Sequence, residues 1–226
     1  MSSTKKIFYL AVATLFIANC AHSAWAEGLK GFKKTTHSPD AAASSAQGPL
    51  YATRPEVMQF AEDLAARRDL DVQWVRDAIG QSHYNATVYR LMQPAAKTFQ
   101  KNWRVYRSRF IDAVRIEAGA RFWRTHRETL ERAEKQYGVP AEIIVGIIGV
   151  ETIYGRDTGS FRVMDALTTL AFDFPASHPR ALERSEFFKG ELEQFLTLQS
   201  RRSVNPFDAR GSFAGAMGMP QFMPSS

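Results

Sequence analysis

The chain has 226 residues, 45% of them apolar, with a formal charge of +6 and one cysteine. This is a globular composition, able to bury a sizeable core in one domain or in one domain with a smaller helical companion. A lone cysteine excludes a disulfide framework within the chain and metal sites built on cysteine. No phosphate-loop lysine follows the glycines, no metal-ligand cluster occurs and no strand precedes a GxGxxG, so nucleotide and metal chemistry have no support.

Residues 1–26 carry Lys5 and Lys6, an apolar run from Ile7 to Ala18 and then small residues, the layout of a bacterial export signal. Two exits are open. Ala24-Trp25-Ala26 is an A-x-A cleavage site, while Ile17-Ala18-Asn19-Cys20 resembles a lipoprotein signal in which Cys20 is lipidated, Asn19 being a poor fit there. A retained anchor is disfavoured because the run is shorter than the ~20 residues a membrane span needs. Both exits lead to the bacterial envelope. Residues 27–54 are rich in Ser, Ala, Thr, Lys, Gly and Pro and read as a flexible tether without structure.

Helical patterns begin at Pro55. Pro55 to Arg68 sets Val57, Phe60, Ala61 and Leu64 on one stripe, Asp71 to Gly80 repeats the pattern with Val72, Val75 and Ile79, and the two form a small hairpin. Tyr84 to Met92 is a further short helix, stopped by Pro94. Within it Asn85-Ala86-Thr87 matches a glycosylation sequon, which the bacterial export signal makes a coincidence. Lys101 to Arg109 (KNWRVYRSR) interleaves basic residues with Trp103 and Tyr106. Such a run binds nucleic acid, lines a site for an anionic envelope polymer or forms the solvated face of a helix; an exported chain favours the last two, the solvated face first. Ile111 to Tyr137 is expected as one helix with a broken stripe of Ala120, Trp123, Leu130 and Ala133, closed by Gly138.

The next stretch, Tyr137 to Arg156 (YGVPAEIIVGIIGVETIYGR), organises the rest. A β-branched octet from Ile143 to Val150 fits a buried helix or a buried strand, and Pro140 with the first-turn Glu142 favours helix. Being apolar all round, it is expected to be buried on every side. Glu151 then shares a buried face with Ile147 and Ile148 at the negative end of the helix, where desolvation and the dipole both disfavour an ionised carboxylate, as a general acid requires. The competing reading pairs Glu151 with Arg156 or makes it a cap. Beyond it Asp157 is turn-forming, Asp165 caps a helix running to Phe172, Phe174 to Arg184 is an exposed loop, and Ser185 to Arg201 is an amphipathic helix containing a structural Glu191. Gly211 to Gly218 is a run of small residues that packs a helix tightly or admits a ligand, packing being preferred.

The run Tyr137 to Arg156, then Asp165-Ala166-Leu167-Thr168-Thr169-Leu170, Gly190-Glu191-Leu192-Glu193, and Gly211 to Gly218 through Gln221-Phe222-Met223-Pro224-Ser225-Ser226, resembles the lytic murein transglycosylase B family from about Pro55 to the end. The resemblance implies an all-α, lysozyme-like transglycosylase core over residues 55–226, incomplete, with the small N-terminal helical hairpin. Its function would be cleavage of the bond between N-acetylmuramic acid and N-acetylglucosamine with formation of a 1,6-anhydromuramoyl product. It puts Glu151 at the catalytic glutamate and makes Tyr106, Arg184, Ser212 and Gln221 substrate-binding residues. Two departures stand out: Phe187 replaces a frequent tyrosine, and the loop from Ala176 to Glu183 is longer. No cofactor is expected within this chain, because the family's calcium loop would lie beyond Ser226. The implied partners are peptidoglycan glycan strands, with no nucleic acid, for a monomer in the periplasm of a Gram-negative bacterium, attached to the outer membrane if Cys20 is lipidated. Two alternatives stay open: a hydrolytic muramidase on the same frame, and an inactive peptidoglycan-binding remnant, since the chain ends early.

Overall fold

Residues 48–94 and 102–226 are described by the computed structural model. The export-signal and tether readings of residues 1–47, Cys20 included, lie outside the described residues, as does Lys101. Nine α-helices and one two-stranded ribbon are found among the described residues. They divide into two units, one formed by residues 48–94, 159–217 and 222–226, the other by residues 102–158 and 218–221. None of the described helices is long and apolar enough to cross a membrane.

In the first unit α1 (Pro55–Arg68) opens on a proline whose missing N–H is no loss in a first turn. Helix α2 (Val72–Gly80) is capped by Asp71, whose carboxylate accepts from Trp74 N at 2.6 Å. Helix α3 (Ala86–Leu91) is capped by Asn85, which accepts from the N–H groups of Thr87 and Val88, each at 3.0 Å. The Asn-Ala-Thr triplet therefore has a structural purpose as a helix start. Helices α8 (Val163–Phe172) and α9 (Ala181–Arg202) complete the unit, and Leu64, Val75, Ile79, Leu167, Leu170, Phe188, Leu192, Phe195 and Leu196 bury their side chains in one core. The α1–α2 hairpin is thus part of a shared core rather than a separate companion.

Several expectations change here. The tether does not extend to residue 54: Tyr51–Thr53 form a 3₁₀ turn, Leu50 pairs with His83, and Tyr51 is only 2% exposed. The reason is an ionic anchor, since the Tyr51 hydroxyl donates to Asp173 at 2.5 Å and Arg54 donates to the same carboxylate at 2.9 Å. Asp165 is not a cap. Arg162 holds the capping position, and Asp165 lies inside the first turn of α8, buried, accepting from His83 N at 3.0 Å with the Arg162 guanidinium 3.6 Å away. Burial pushes its carboxyl above the ordinary value. The exposed loop ends at Arg180, because α9 begins at Ala181 and runs straight through Gly190. Glu191 is structural as expected: 3% exposed, it accepts from Ser225 N at 3.0 Å and from Ser225 Oγ at 2.6 Å.

The small-residue run is not helical. β1 (Phe161–Arg162) pairs antiparallel with β2 (Arg210–Gly211), and turns follow in which Ala214 and Ala216 are buried. Packing explains Gly211 and Gly215 of the run, where a Cβ would fall 2.3 Å from Ala216 O and 2.4 Å from Leu167 Cδ2; outside it, a Cβ on Gly159, which has φ +90°, would fall 2.1 Å from Gly211 O.

The second unit holds α4 (Trp103–Arg107), α5 (Ala113–Thr125), α6 (Arg127–Tyr137) and α7 (Ala141–Thr152). The single helix expected over 111–137 is two, capped at Asp112 and broken at His126, where φ −110° and ψ 20° leave the helical region. The bend lets Phe122 and Trp123 on α5 and Leu130 on α6 reach the same cluster around Ala141 and Val145 of α7. Helix α7 is not buried on every side. Ala141, Val145, Gly149 and Thr152 make one buried stripe, whereas Ile143 is 51% and Val150 37% exposed. The helix with that character is α8, where every residue from Val163 to Ala171 is buried.

Two outcomes follow for stability. Gly159→Ala must move backbone as well as adopt a strained φ, and is expected to cost about 3 kcal/mol or more, read as a fall in denaturation midpoint. For Asp165 the folded carboxyl has the raised pKa, so its contribution to stability is most favourable at low pH and is eroded as pH rises from 3.8 through the folded value. Thermal melts of wild type and Asp165→Asn should therefore shift in the variant's favour between pH 3.5 and pH 7; an unchanged difference would contradict the assignment.

Candidate active site

The site is built from the way α7 stops. Pro140 sits just before the helix with ψ 139°, and Glu134 Oε2 accepts from Ala141 N at 3.2 Å, so the start is fixed by α6. At the other end Ile153 (φ 50°), Tyr154 (φ 60°) and Gly155 (φ 86°) are left-handed in succession. A β-branched residue in that region is strained by about 1–3 kcal/mol, so the surroundings must impose it.

Two contacts do so. Buried Thr152 donates its hydroxyl to Met219 O at 2.9 Å and accepts from Gly155 N at 3.0 Å, closing the turn and tying it to the 218–221 segment. Tyr154 folds its ring back against Phe122, centroids 5.2 Å apart, with its hydroxyl in a gap left by two glycines. A Cβ on Gly119 would lie 2.4 Å from Tyr154 Oη and one on Gly149 would lie 2.3 Å from it. Burial raises the Tyr154 phenol above its ordinary value, with Arg115 opposing. Glu151 stands half-buried on the last turn before this stop.

Arg115 on α5 serves the same helix end. Its Nε donates to Gly149 O at 3.3 Å, its Nη1 to Asp112 at 2.6 Å and to Arg109 O at 2.8 Å. This puts a cation on the C-terminal carbonyls two residues before Glu151, where the helix end is negative. The backbone N–H and then the guanidinium of Arg115 hold half-buried Asp112 below the ordinary carboxylate value. The guanidinium also lies over the Phe110 ring, 5.6 Å from its centroid. Phe110 is 4.9 Å from Tyr106, and Tyr106 stacks on Trp103 at 5.7 Å and 26°. A ladder of Trp103, Tyr106, Phe110 and Arg115 thereby leads to the helix end that carries Glu151.

The expected residues fare differently. Glu151, Tyr106 and Gln221 fall in one unit, and Ser212 and Arg184 in the other. Gln221 has its side-chain N–H groups engaged with Thr158 O at 3.1 Å and Gly218 O at 3.0 Å, so only its carbonyl is open to act on a ligand. Ser212 Oγ accepts from Ala216 N at 3.0 Å, leaving its O–H to donate. Arg184, half-buried in the first turn of α9, is close enough to His178 to help lower its pKa, after burial. Asp157 is exposed in the turn. Sequence reasoning missed Thr152, Tyr154 and Arg115. Gly119 and Gly149 are the one trace they leave, and glycine alone does not name the ring that fills its gap. Among the described residues no group of three or more His, Cys, Asp and Glu side chains is placed to hold a metal ion.

Residues 52–226 match the family model described as the transglycosylase SLT domain. The chain belongs to this transglycosylase SLT family. It is 40% identical over 187 residues to membrane-bound lytic murein transglycosylase B of Escherichia coli K12, covering 79% of this chain and 50% of that protein. It is similar to soluble lytic transglycosylase SltB1 from Pseudomonas aeruginosa, with 45% identity, a TM-score of 0.68, and coverage of 76% of this chain and 55% of that one. It also resembles the Escherichia coli lytic transglycosylase Slt35 solved with bulgecin A, at 41% identity and TM-score 0.70, covering 79% and 55%. This transglycosylase-family chain spans about half the length of the relatives it matches.

The glycine gap makes a separable prediction. Gly149→Ala is expected to destabilise by about 1–3 kcal/mol through overpacking against Tyr154. In a Tyr154→Ala background the same change should cost less than about 0.5 kcal/mol, a coupling that denaturant titration of the four proteins measures directly.

Proposed function

We propose that this chain carries the acid and base of a peptidoglycan lytic transglycosylase, with Glu151 in both roles. The observation that carries the proposal is the position of Glu151, half-buried on the last turn of α7, in a chain of the transglycosylase SLT family. As an acid, Glu151 gives its proton to the glycosidic oxygen between N-acetylmuramic acid and N-acetylglucosamine as the bond to the anomeric carbon breaks. The substrate's own acetamido oxygen closes on that carbon and takes up its positive charge, so no second catalytic carboxylate is required. The Glu151 carboxylate then accepts the proton of the muramoyl 6-hydroxyl, whose oxygen displaces the acetamido group and forms the 1,6-anhydro ring. The proton balance is zero, and water enters at no step.

Tyr106, with its ring in the ladder beside Trp103 and Phe110, is a contact for a sugar of the same strand. By the family resemblance, the Gln221 carbonyl, Ser212 and Arg184 are assigned as further substrate contacts. Location follows the same reading: a periplasmic enzyme of a Gram-negative bacterium, held at the outer membrane through Cys20 if that residue is lipidated. The membrane-bound name of the Escherichia coli relative supports this location.

Digestion of purified peptidoglycan with mass analysis of the muropeptides tests the chemistry. Wild type should release muropeptides one water lighter than their hydrated counterparts, and Glu151→Gln should lower the rate about 10²–10⁴-fold. Hydrated products would reassign the chain to hydrolysis, and full activity in the variant would remove Glu151 from the reaction.

A further inference from the structure

The ladder beside Glu151 ends in an aromatic residue that the proposed chemistry does not use. Trp103 is 71% exposed, second only to Leu182 among the large apolar side chains of the described residues. It opens α4, with Asn102 accepting from Val105 N at 3.2 Å to cap the helix. Tyr106 is three residues on in α4, and Phe110, in the turn that follows, brings its ring to 4.9 Å from Tyr106. The indole stacks on Tyr106, with 26° between planes, and most of its surface stays open to water. A large open ring held rigid by a second ring is a poor contributor to folding and a good surface for a flat apolar partner.

The surroundings specify the partner's chemistry. Arg104, Arg107 and Arg109 are exposed around the rings, and no acid occurs between Asn102 and Ile111. The first carboxylate, Asp112, is already held by Arg115. A partner must therefore present apolar faces at ring size together with negative charge. A glycan strand does so: the C–H face of a pyranose stacks on indole, and the free carboxylates of its peptides meet the guanidiniums.

We propose that Trp103 is a stacking platform for a sugar of the glycan strand, extending the strand-binding surface from Tyr106 outward, an inference that rests on the lytic transglycosylase reading of Glu151. The full chain carrying Glu151→Gln, so that strands are not consumed, is titrated calorimetrically with peptide-bearing, uncrosslinked glycan strands, with and without Trp103→Ala or Trp103→Phe. Vesicles of phosphatidylglycerol form a parallel arm. Trp103→Ala should weaken strand binding about three- to tenfold at unchanged melting temperature, and Trp103→Phe should restore most of it, because a ring face is kept. Equal strand affinity in Trp103→Ala overturns the platform. So does a loss confined to the vesicles, which would make this face a lipid contact. If the parent binds no strand, digestion of peptidoglycan by wild type separates the two failures: anhydro products then reject the platform alone, and their absence rejects both.

Discussion

Helix α7 has to stop one residue after Glu151, and it stops in a conformation that two of its residues disfavour. Ile153 and Tyr154 are both left-handed, and neither is glycine. The stop persists because the Thr152 hydroxyl closes the turn on Gly155 N and because the Tyr154 ring has a place to go between Gly119 and Gly149. Strain of this kind is held only where the surroundings over-determine the backbone. Here α5, α7 and the 218–221 segment all converge on the turn that ends α7, so the helix end carrying Glu151 is fixed by packing rather than left in an exposed loop.

The same convergence gives the helix end its charge environment. Of the last carbonyls of α7, Gly149 O accepts from Ile153 N and, from the side, from Arg115 Nε, while Thr152 O accepts from Asp157 N. Because Arg115 is also held by Asp112 and Arg109 O, and covers Phe110, the aromatic ladder is registered to the helix end by bonded contacts. The double role proposed for Glu151 needs a carboxylate held steady through two proton transfers, and a helix terminus meets that need better than a loop.

The first unit solves a different problem with α8. That helix is buried along nearly its whole length, so its polar groups must be satisfied internally. Thr168 donates to Met164 O at 2.8 Å, Thr169 accepts from Asn85 N at 2.9 Å, and Asp165 accepts from His83 N. Each of the last two bonds fixes a stretch of chain between α2 and α3. Polar side chains on the most buried helix thus act as attachment points for the loops around it.

Much of this was legible in the chain order of residue types. Pro55, Asp71, Gly138 and Pro140 mark element ends because their effects are local: a fixed φ, a side-chain acceptor, a tolerated left-handed turn. The hairpin, the short helix before Pro94, the structural Glu191 and the candidate Glu151 were readable on the same grounds or by resemblance. What tertiary structure decided were the choices that depend on partners distant in sequence. Which helix is buried on all sides could not be read from α7 and α8 themselves: α7 carries the longer apolar run, yet α8, with Asp165, Thr168 and Thr169 among its residues, is the one enclosed on every side. Asp165 was equally suited to cap or to be buried, and His83, 82 residues away, settled it. Tyr154, Gly119, Gly149 and Arg115 carry no pattern when read separately; they acquire meaning only when a ring fills a gap and a guanidinium reaches a carbonyl, which are facts of three-dimensional packing.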